Sequence, residues 1–369
     1  MIKRFIDCYI PVTQCNLKCH YCYISQLDAF QKKPAEFKYS PEHIGKALSI
    51  ERLGGPCVFN LCGGGETLIP KETVQIVFEL LKAGHYVMVV TNGLLTKRFE
   101  DISKFPEEYH SRLFFKFSFH YFEVKRLNAF EKYFDNVRLM DKAGCSFTVE
   151  LTANDECIPY FEDIKKICID NVGAPCHVSI GRKDNDPNIG HLSKLPFDEY
   201  CKLWIDAFDS GMFKFKKTIF YQKRKEFCYA GLWSANINLG TGALTQCYGG
   251  RKLKNIFENI DEPVDFFPVG CNCNQPHCYN GHAFLTFGDI PELDTPTYMY
   301  IRDRKTNNGM VWVKPKMQEA FESKLVDMNK ILSTSEKAKY NLIGKPHLLV
   351  ADLYNLLKRI KAFVKEKKA

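Results

Sequence analysis

Apolar and polar positions along this chain switch repeatedly between two spacings. Continuous apolar runs, rich in β-branched and aromatic residues, fall at 5–12, 56–61, 86–91, 113–119, 146–152 and 176–181. Between them the apolar positions recur at helical spacing, near 41–53, 70–83, 96–104, 124–142 and 159–172. Such strand–helix alternation predicts parallel strands joined by crossover helices. Parallel strands covered on both faces should be apolar throughout, as in Tyr86-Val87-Met88-Val89-Val90 and Phe114-Phe115-Lys116-Phe117. Six units fall short of the eight that close a barrel. The expected fold class is therefore α/β, an open, partial (β/α)6 TIM-like barrel.

The polar, turn-rich stretch 183–190 marks a boundary. A helix is expected at 196–210; from 226 to 290 the alternation gives way to cysteine, glycine and aromatic residues. After Pro291 come loops and two helices, near 315–333 and 346–366. The division this predicts is a barrel at 1–190, a connecting helical segment at 191–225, a small Cys-rich unit at 226–290 and a helical extension at 291–369. Leu349, Leu353, Leu356, Leu357, Ile360, Phe363 and Val364 form a stripe opposite Lys and Arg. Packing on its own domain is expected of it, rather than lying on a membrane.

Composition narrows the class. Hydrophobic residues at 45% and charged residues at 25% are ordinary for a soluble globular protein. No apolar run is long enough to span a bilayer, and Met1-Ile2-Lys3-Arg4 runs into a strand without a signal segment. A cytoplasmic setting is expected. Sixteen cysteines in a chain of this kind point to metal or redox chemistry in a reducing compartment. The net charge of +8 comes from 51 Lys and Arg against 43 Asp and Glu. Much of it is terminal, at Lys358, Arg359, Lys361, Lys365, Lys367 and Lys368. A non-catalytic zinc protein that binds nucleic acid is the competing class, but it predicts a clustered basic stripe with aromatic platforms. Nucleic acid and membrane are not expected partners.

Chemistry concentrates at Cys15, Cys19 and Cys22, a C-x3-C-x2-C run just after the first strand. Three thiolates at that spacing can hold three corners of an iron–sulfur cubane, leaving one iron open for another molecule. Zinc would want a fourth ligand, and His20, between two of the thiols, reaches poorly. After the second strand comes Cys62-Gly63-Gly64-Gly65-Glu66-Thr67, whose glycines let a backbone edge approach a partner closely. Thr91-Asn92-Gly93 ends the third strand and Ser118-Phe119-His120 the fourth; Asn154 and Arg182 follow the fifth and sixth.

This ordered set, over residues 5 to 182, resembles the radical S-adenosylmethionine (SAM) superfamily. The resemblance implies a SAM-binding [4Fe–4S] cluster on the three cysteines, with the amino and carboxylate groups of SAM on the open iron. It assigns SAM contacts to Gly64, Gly65 and Glu66, and further ones to Asn92, Ser118, His120, Asn154 and Arg182. His120 stands where the family commonly has Asp, and Thr67 where it often has Pro. Cys62, beside the glycines, is a candidate hydrogen-atom donor, although a free cysteine is more often a small buried hydrophobe.

Cys228, Cys247, Cys271, Cys273 and Cys278 form a second group, with a hairpin read around Gly240-Thr241-Gly242. It resembles the SPASM and twitch extensions of the superfamily. Five cysteines imply one auxiliary [4Fe–4S] cluster, on Cys228, Cys247, Cys273 and Cys278 with Cys271 as substitute. A zinc ribbon is the alternative. The activity implied is reductive cleavage of SAM to a 5′-deoxyadenosyl radical that abstracts a hydrogen atom. Modification of a peptide by oxidation, crosslinking or epimerisation is the leading expectation. Dehydrogenation or epimerisation of a sugar- or aminoglycoside-like small molecule is the alternative, and a flavodoxin or ferredoxin is the implied electron donor.

Overall fold

The computed structural model describes the chain apart from residues 32, 187, 249, 347–348, 351–352 and 354–369. Strand β1 (Arg4–Ile10) leads to helix α1 (Pro41–Ala47), β2 (Cys57–Gly63) to α2 (Lys71–Lys82), and β3 (Tyr86–Thr91) to α3 (Thr96–Ile102). Then come β4 (Leu113–Ser118), α4 (Phe130–Lys142), β5 (Ser146–Ala153), α5 (Phe161–Val172) and β6 (His177–Ile180). All six strands are parallel to their neighbours. Phe114, Phe115 and Phe117 are fully buried, as a strand covered on both faces requires. The result is the expected α/β, partial TIM-like fold.

The sheet continues past the barrel. Helices α6 (Phe197–Phe208) and α7 (Gly211–Ile219) precede β7 (Ser234–Asn238), β8 (Ala243–Thr245) and β9 (Lys252–Asn255). Strand β7 lies parallel to β1, and β8 and β9 follow antiparallel, giving the order β6-β5-β4-β3-β2-β1-β7-β8-β9. The hairpin read from the Gly-Thr-Gly turn is β7–β8, with Asn236 opposite Thr245. The Cys-rich stretch thus hangs on the edge strand of the barrel. Helices α8 (Gly281–Phe287) and α9 (Pro315–Glu322) follow.

Several helices depart from their expected lengths, each for a local reason. The 41–53 helix breaks at Ser49, whose hydroxyl caps a new turn by accepting from the Arg52 amide at 3.3 Å. The 124–142 helix breaks at Asn128, which has a left-handed φ of 50°. The 315–333 helix stops at Glu322, because Ser323 and Lys324 turn extended and the Lys324 ammonium donates to the carbonyls of Thr286, Thr295 and Pro296. The helical segment expected at 191–225 is two helices rather than the one read at 196–210; α7 starts where Asp209 turns left-handed and the Ser210 hydroxyl accepts from the Phe213 amide. The helix expected at 346–366 falls largely outside the described residues, whereas 334–346 is helical.

Candidate functional site

Parallel strands of this kind present their carboxyl ends on one rim, where loops can converge. The cysteine loop leaves β1 there and is stitched to the glycine turn after β2. The Gly65 amide donates to the Val12 carbonyl at 2.7 Å and the Glu66 amide to the Gln14 carbonyl at 2.9 Å. A Cβ on Gly65 would stand 1.8 Å from the Gln14 oxygen, and one on Gly63 would stand 2.6 Å from Val12. The close approach that demands glycine is therefore made by the cysteine loop itself.

Glu66 is buried, lines the cavity beside the cysteines and accepts three hydrogen bonds from within the protein. It accepts from the Thr91 hydroxyl and the Asn92 amide, both at 2.7 Å, and from the Leu68 amide at 3.1 Å. Burial pushes this carboxyl up, against the opposing pull of those three hydrogen bonds. Through it the second strand end holds the third. The Asn92 side chain in turn donates to Asn16 at 2.7 Å and lies 3.8 Å from the Cys15 sulfur. Glu66 and Asn92 are in this way positioning residues for the cysteine loop, a role that spacing alone did not reveal.

Cys15, Cys19 and Cys22 line one cavity of about 150 Å³ together with Gly63 to Thr67, Asn92, Ser118 and His120. Burial pushes the Cys15 thiol up to about 11 and that of Cys19 to about 12, and raises Cys22. Among the described residues no three His, Cys, Asp or Glu side chains converge on a single point for one metal ion. The thiols instead ring a void, and a thiolate-held cluster with one open iron fits such a ring. His120 bonds the Tyr21 hydroxyl at 2.8 Å, and burial takes its pKa down to about 4, so the imidazole is neutral. Cys62 lines the same cavity, and burial raises its thiol to about 12.

Two residues of the expected SAM set, Asn154 and Arg182, do not line this cavity. The Asn154 amide is turned to the Thr152 carbonyl at 3.0 Å and does not line the cavity. Arg182 pairs with Asp184 at 3.1 Å and lines a second cavity, of about 250 Å³, on the barrel rim. That second cavity shares Cys22, Tyr23, Ser118 and His120 with the first. Its remaining wall includes His282 and three charged residues that the sequence reading did not single out as site residues, Lys116, Glu150 and Lys216. The available signal was a charge standing mid-strand in Phe115-Lys116-Phe117 and in Val149-Glu150-Leu151.

The downstream cysteines divide four to one. Cys228, Cys247, Cys273 and Cys278 line a cavity of about 50 Å³ with Tyr248, Tyr279 and Asn280. Cys271 is exposed and stands outside it, its amide donating to Asn341 at 2.8 Å and its sulfur accepting from Asn341 at 3.4 Å. Cys228 is fixed by a two-way backbone bridge to Gly270, and Cys247 follows β8. Tyr279 and Asn280 also line the 250 Å³ cavity, so the three cavities abut in series. His277 is buried, with neither ring nitrogen bonded among the described residues, against the ring of Phe220.

Residues 9–153 match the family model of the radical SAM superfamily. No curated protein matches the chain. Among solved structures it is similar to anSMEcpe with bound AdoMet, at 16% identity and a TM-score of 0.49, covering 95% of each chain. It is also similar to Streptococcus suis SuiB bound to S-adenosylmethionine, at 14% identity and a TM-score of 0.47, covering 70% of this chain and 65% of that one. A third similarity is to BtrN in complex with AdoMet and 2-DOIA, at 13% identity and a TM-score of 0.34, covering 71% of this chain and 82% of that one. The chain thus spans about two thirds of the length of SuiB. The cofactors of the matched family are a [4Fe–4S] cluster and SAM. The matched segment holds the three cysteines, the glycine turn and the polar strand ends around one cavity, and residues 9–153 of the chain form a radical SAM domain.

Proposed function

We propose that this chain oxidises a polar substrate, a peptide segment, held in the 250 Å³ cavity between two iron–sulfur sites. The observation that supports this most is the sharing of walls: Cys22, Ser118 and His120 on one side, Tyr279 and Asn280 on the other. In the proposal Cys15, Cys19 and Cys22 hold the SAM-binding cluster, and Cys228, Cys247, Cys273 and Cys278 hold an auxiliary one. The chemistry those groups supply when bound is reductive cleavage of SAM, abstraction of a hydrogen atom and acceptance of the electron left on the substrate.

The chain's own residues do the rest. Glu66 and Asn92 hold the cysteine loop in place. Ser118 and neutral His120 form the wall common to SAM and substrate. The charged and amide groups of the middle cavity offer donors and acceptors suited to a peptide backbone. A low-potential donor such as flavodoxin or ferredoxin and a cytoplasmic setting belong to the same proposal, and all sixteen cysteines are free thiols. Among the described residues no helix is long and apolar enough to cross a membrane.

Cys62 supports a second outcome on the same scaffold. Its thiol lines the SAM cavity and keeps its proton, so it can return a hydrogen atom to a substrate radical and give epimerisation. The test is anaerobic incubation of the reduced, reconstituted protein with SAM and a synthetic peptide pool. Release of 5′-deoxyadenosine with loss of two hydrogens from a peptide is expected; inversion abolished by Cys62→Ala would instead assign the second outcome. No 5′-deoxyadenosine from the wild type would contradict both.

A further inference from the structure

Strand β4 is hydrogen-bonded on both edges, to β3 and to β5, and Phe115 and Phe117 beside Lys116 are fully buried. A lysine there is costly unless its charge is used, because an ammonium leaves water only at a large penalty. Lys116 is 8% exposed, and no described group stands within hydrogen-bonding or ion-pairing distance of its ammonium. Period-two alternation puts Lys116 on the face of β4 that carries Ser118 and His120, and all three line the 250 Å³ cavity. The ammonium is aimed into that cavity.

A second ammonium meets it from another element. Lys216 of α7 is 7% exposed, lines the same cavity and donates to the neutral Ser179 hydroxyl at 2.8 Å. The two acids in the wall are already committed. Glu150 is paired with the fully buried Arg302, and Asp184 with Arg182 at 3.1 Å. His282 also lines the wall, held neutral by burial and by the cations around it, Lys216 foremost among them. Asp7, buried and bonded to Asn60, Tyr248 and Asn280, also acts on Lys116, but among the described residues neither ammonium has an ion pair of its own. Burial foremost, then the neighbouring cations, takes Lys216 down to about 7 and lowers Lys116, against the opposing pull of Glu150 on both.

We infer that Lys116 and Lys216 form an oxyanion-recognition site in the substrate cavity, so that the substrate presents a carboxylate or phosphate group to both. This rests on the cavity being the substrate site, as proposed above, and adds the substrate's charge class. Two ammonium groups converging on one oxyanion make charge-assisted hydrogen bonds, roughly twice as strong as neutral ones. Such a contact would also fix the distance from the anionic group to the reacting carbon, since both lysines sit on regular elements of the scaffold.

The test uses full-length protein, reconstituted anaerobically and loaded with SAM, at low salt. Three probes are read by saturation-transfer NMR: glutarate, its uncharged diamide, and methyl phosphate. Saturation of an anion but not of the diamide is expected, and whichever anion binds better identifies carboxylate or phosphate. Lys116→Met and Lys216→Met should each weaken that binding about tenfold or more, while Lys116→Arg should restore most of it and show that the strand still folds. Equal binding of the diamide, or anion binding that survives both Met substitutions, overturns the inference. So does absence of anion binding in a wild-type sample that contains iron and cleaves SAM. Absence of iron and SAM cleavage in the wild type would instead count against the functional reading beneath it.

Discussion

The two cysteine sites are built in opposite ways. The first sits on one short loop, Cys15 to Cys22, clamped by backbone hydrogen bonds to the glycine turn and by Asn92. The second collects Cys228, Cys247, Cys273 and Cys278 from a bridge, a strand end and a following loop. Local chain geometry shapes the one; correct pairing of β7 against β1 and of β8 against β7 shapes the other. A site made by one loop can be read from spacing, whereas a site made by tertiary closure cannot.

Glycine substitutions separate the two sites most strongly. Gly65→Ala puts a methyl 1.8 Å from the Gln14 oxygen, so the cysteine loop must move. The expected outcome is loss of SAM cleavage, with only the second site's iron retained. Gly231→Ala is the counterpart: Gly231 has φ +94°, and its Cβ would meet the Phe267 oxygen at 2.1 Å beside the bridge that holds Cys228. There the second site's iron should go while SAM cleavage persists. Retention of all iron by either variant, measured by metal analysis, would break the comparison.

Asn92→Ala is a milder cut. It removes the 2.7 Å bond to Asn16 and the 3.8 Å bond to the Cys15 sulfur while leaving every cysteine in place. Supporting partners of metal ligands are commonly worth about 10–100-fold in metal affinity. A loss of about that size in iron retention against a chelator is expected at the first site and none at the second. Ferrozine release kinetics would show it.

The same contrast explains what was legible beforehand. The six parallel strands, the three cysteines and the glycine turn follow from apolar runs and short-range spacing. Resemblance alone set Cys271 apart as a substitute; the physical reason, its exposure and its bonds to Asn341, appears only in the folded chain. Lys116 and Glu150 went unread for a related reason. Inside an apolar strand one charge looks like noise until neighbouring strands place it on the concave face. Glu66 was assigned toward SAM by resemblance; its bonds to Thr91, Asn92 and Leu68 are a web that only three-dimensional proximity shows. Asn154 lies outside the cysteine cavity's lining, its amide donating to the Thr152 carbonyl two residues back.

Two smaller effects sharpen the picture. Cys271→Ala should leave iron content unchanged and shift stability by no more than about 0.5 kcal/mol, as exposed substitutions usually do. Loss of iron from that variant would show that the exposed cysteine takes a ligand's place. A pH profile of glutarate binding addresses Lys216, which is faced by Arg182, Glu150, Arg302 and Lys116. Its pKa is lowered from 10.5 to about 7, so the cation is present below that pH and lost above it. Affinity should fall as pH rises through about 7, and Lys216→Arg should flatten the fall; a profile that rises with pH would contradict it.

The most direct measurement is iron, sulfide and zinc content after anaerobic reconstitution of three proteins. These are the wild type, Cys15/Cys19/Cys22→Ala, and Cys228/Cys247/Cys273/Cys278→Ala. Two thiolate-held cubanes predict about eight irons in the wild type and about four in each variant, with SAM cleavage only where the first three cysteines remain. Zinc in place of iron, or full iron in either variant, would contradict the account.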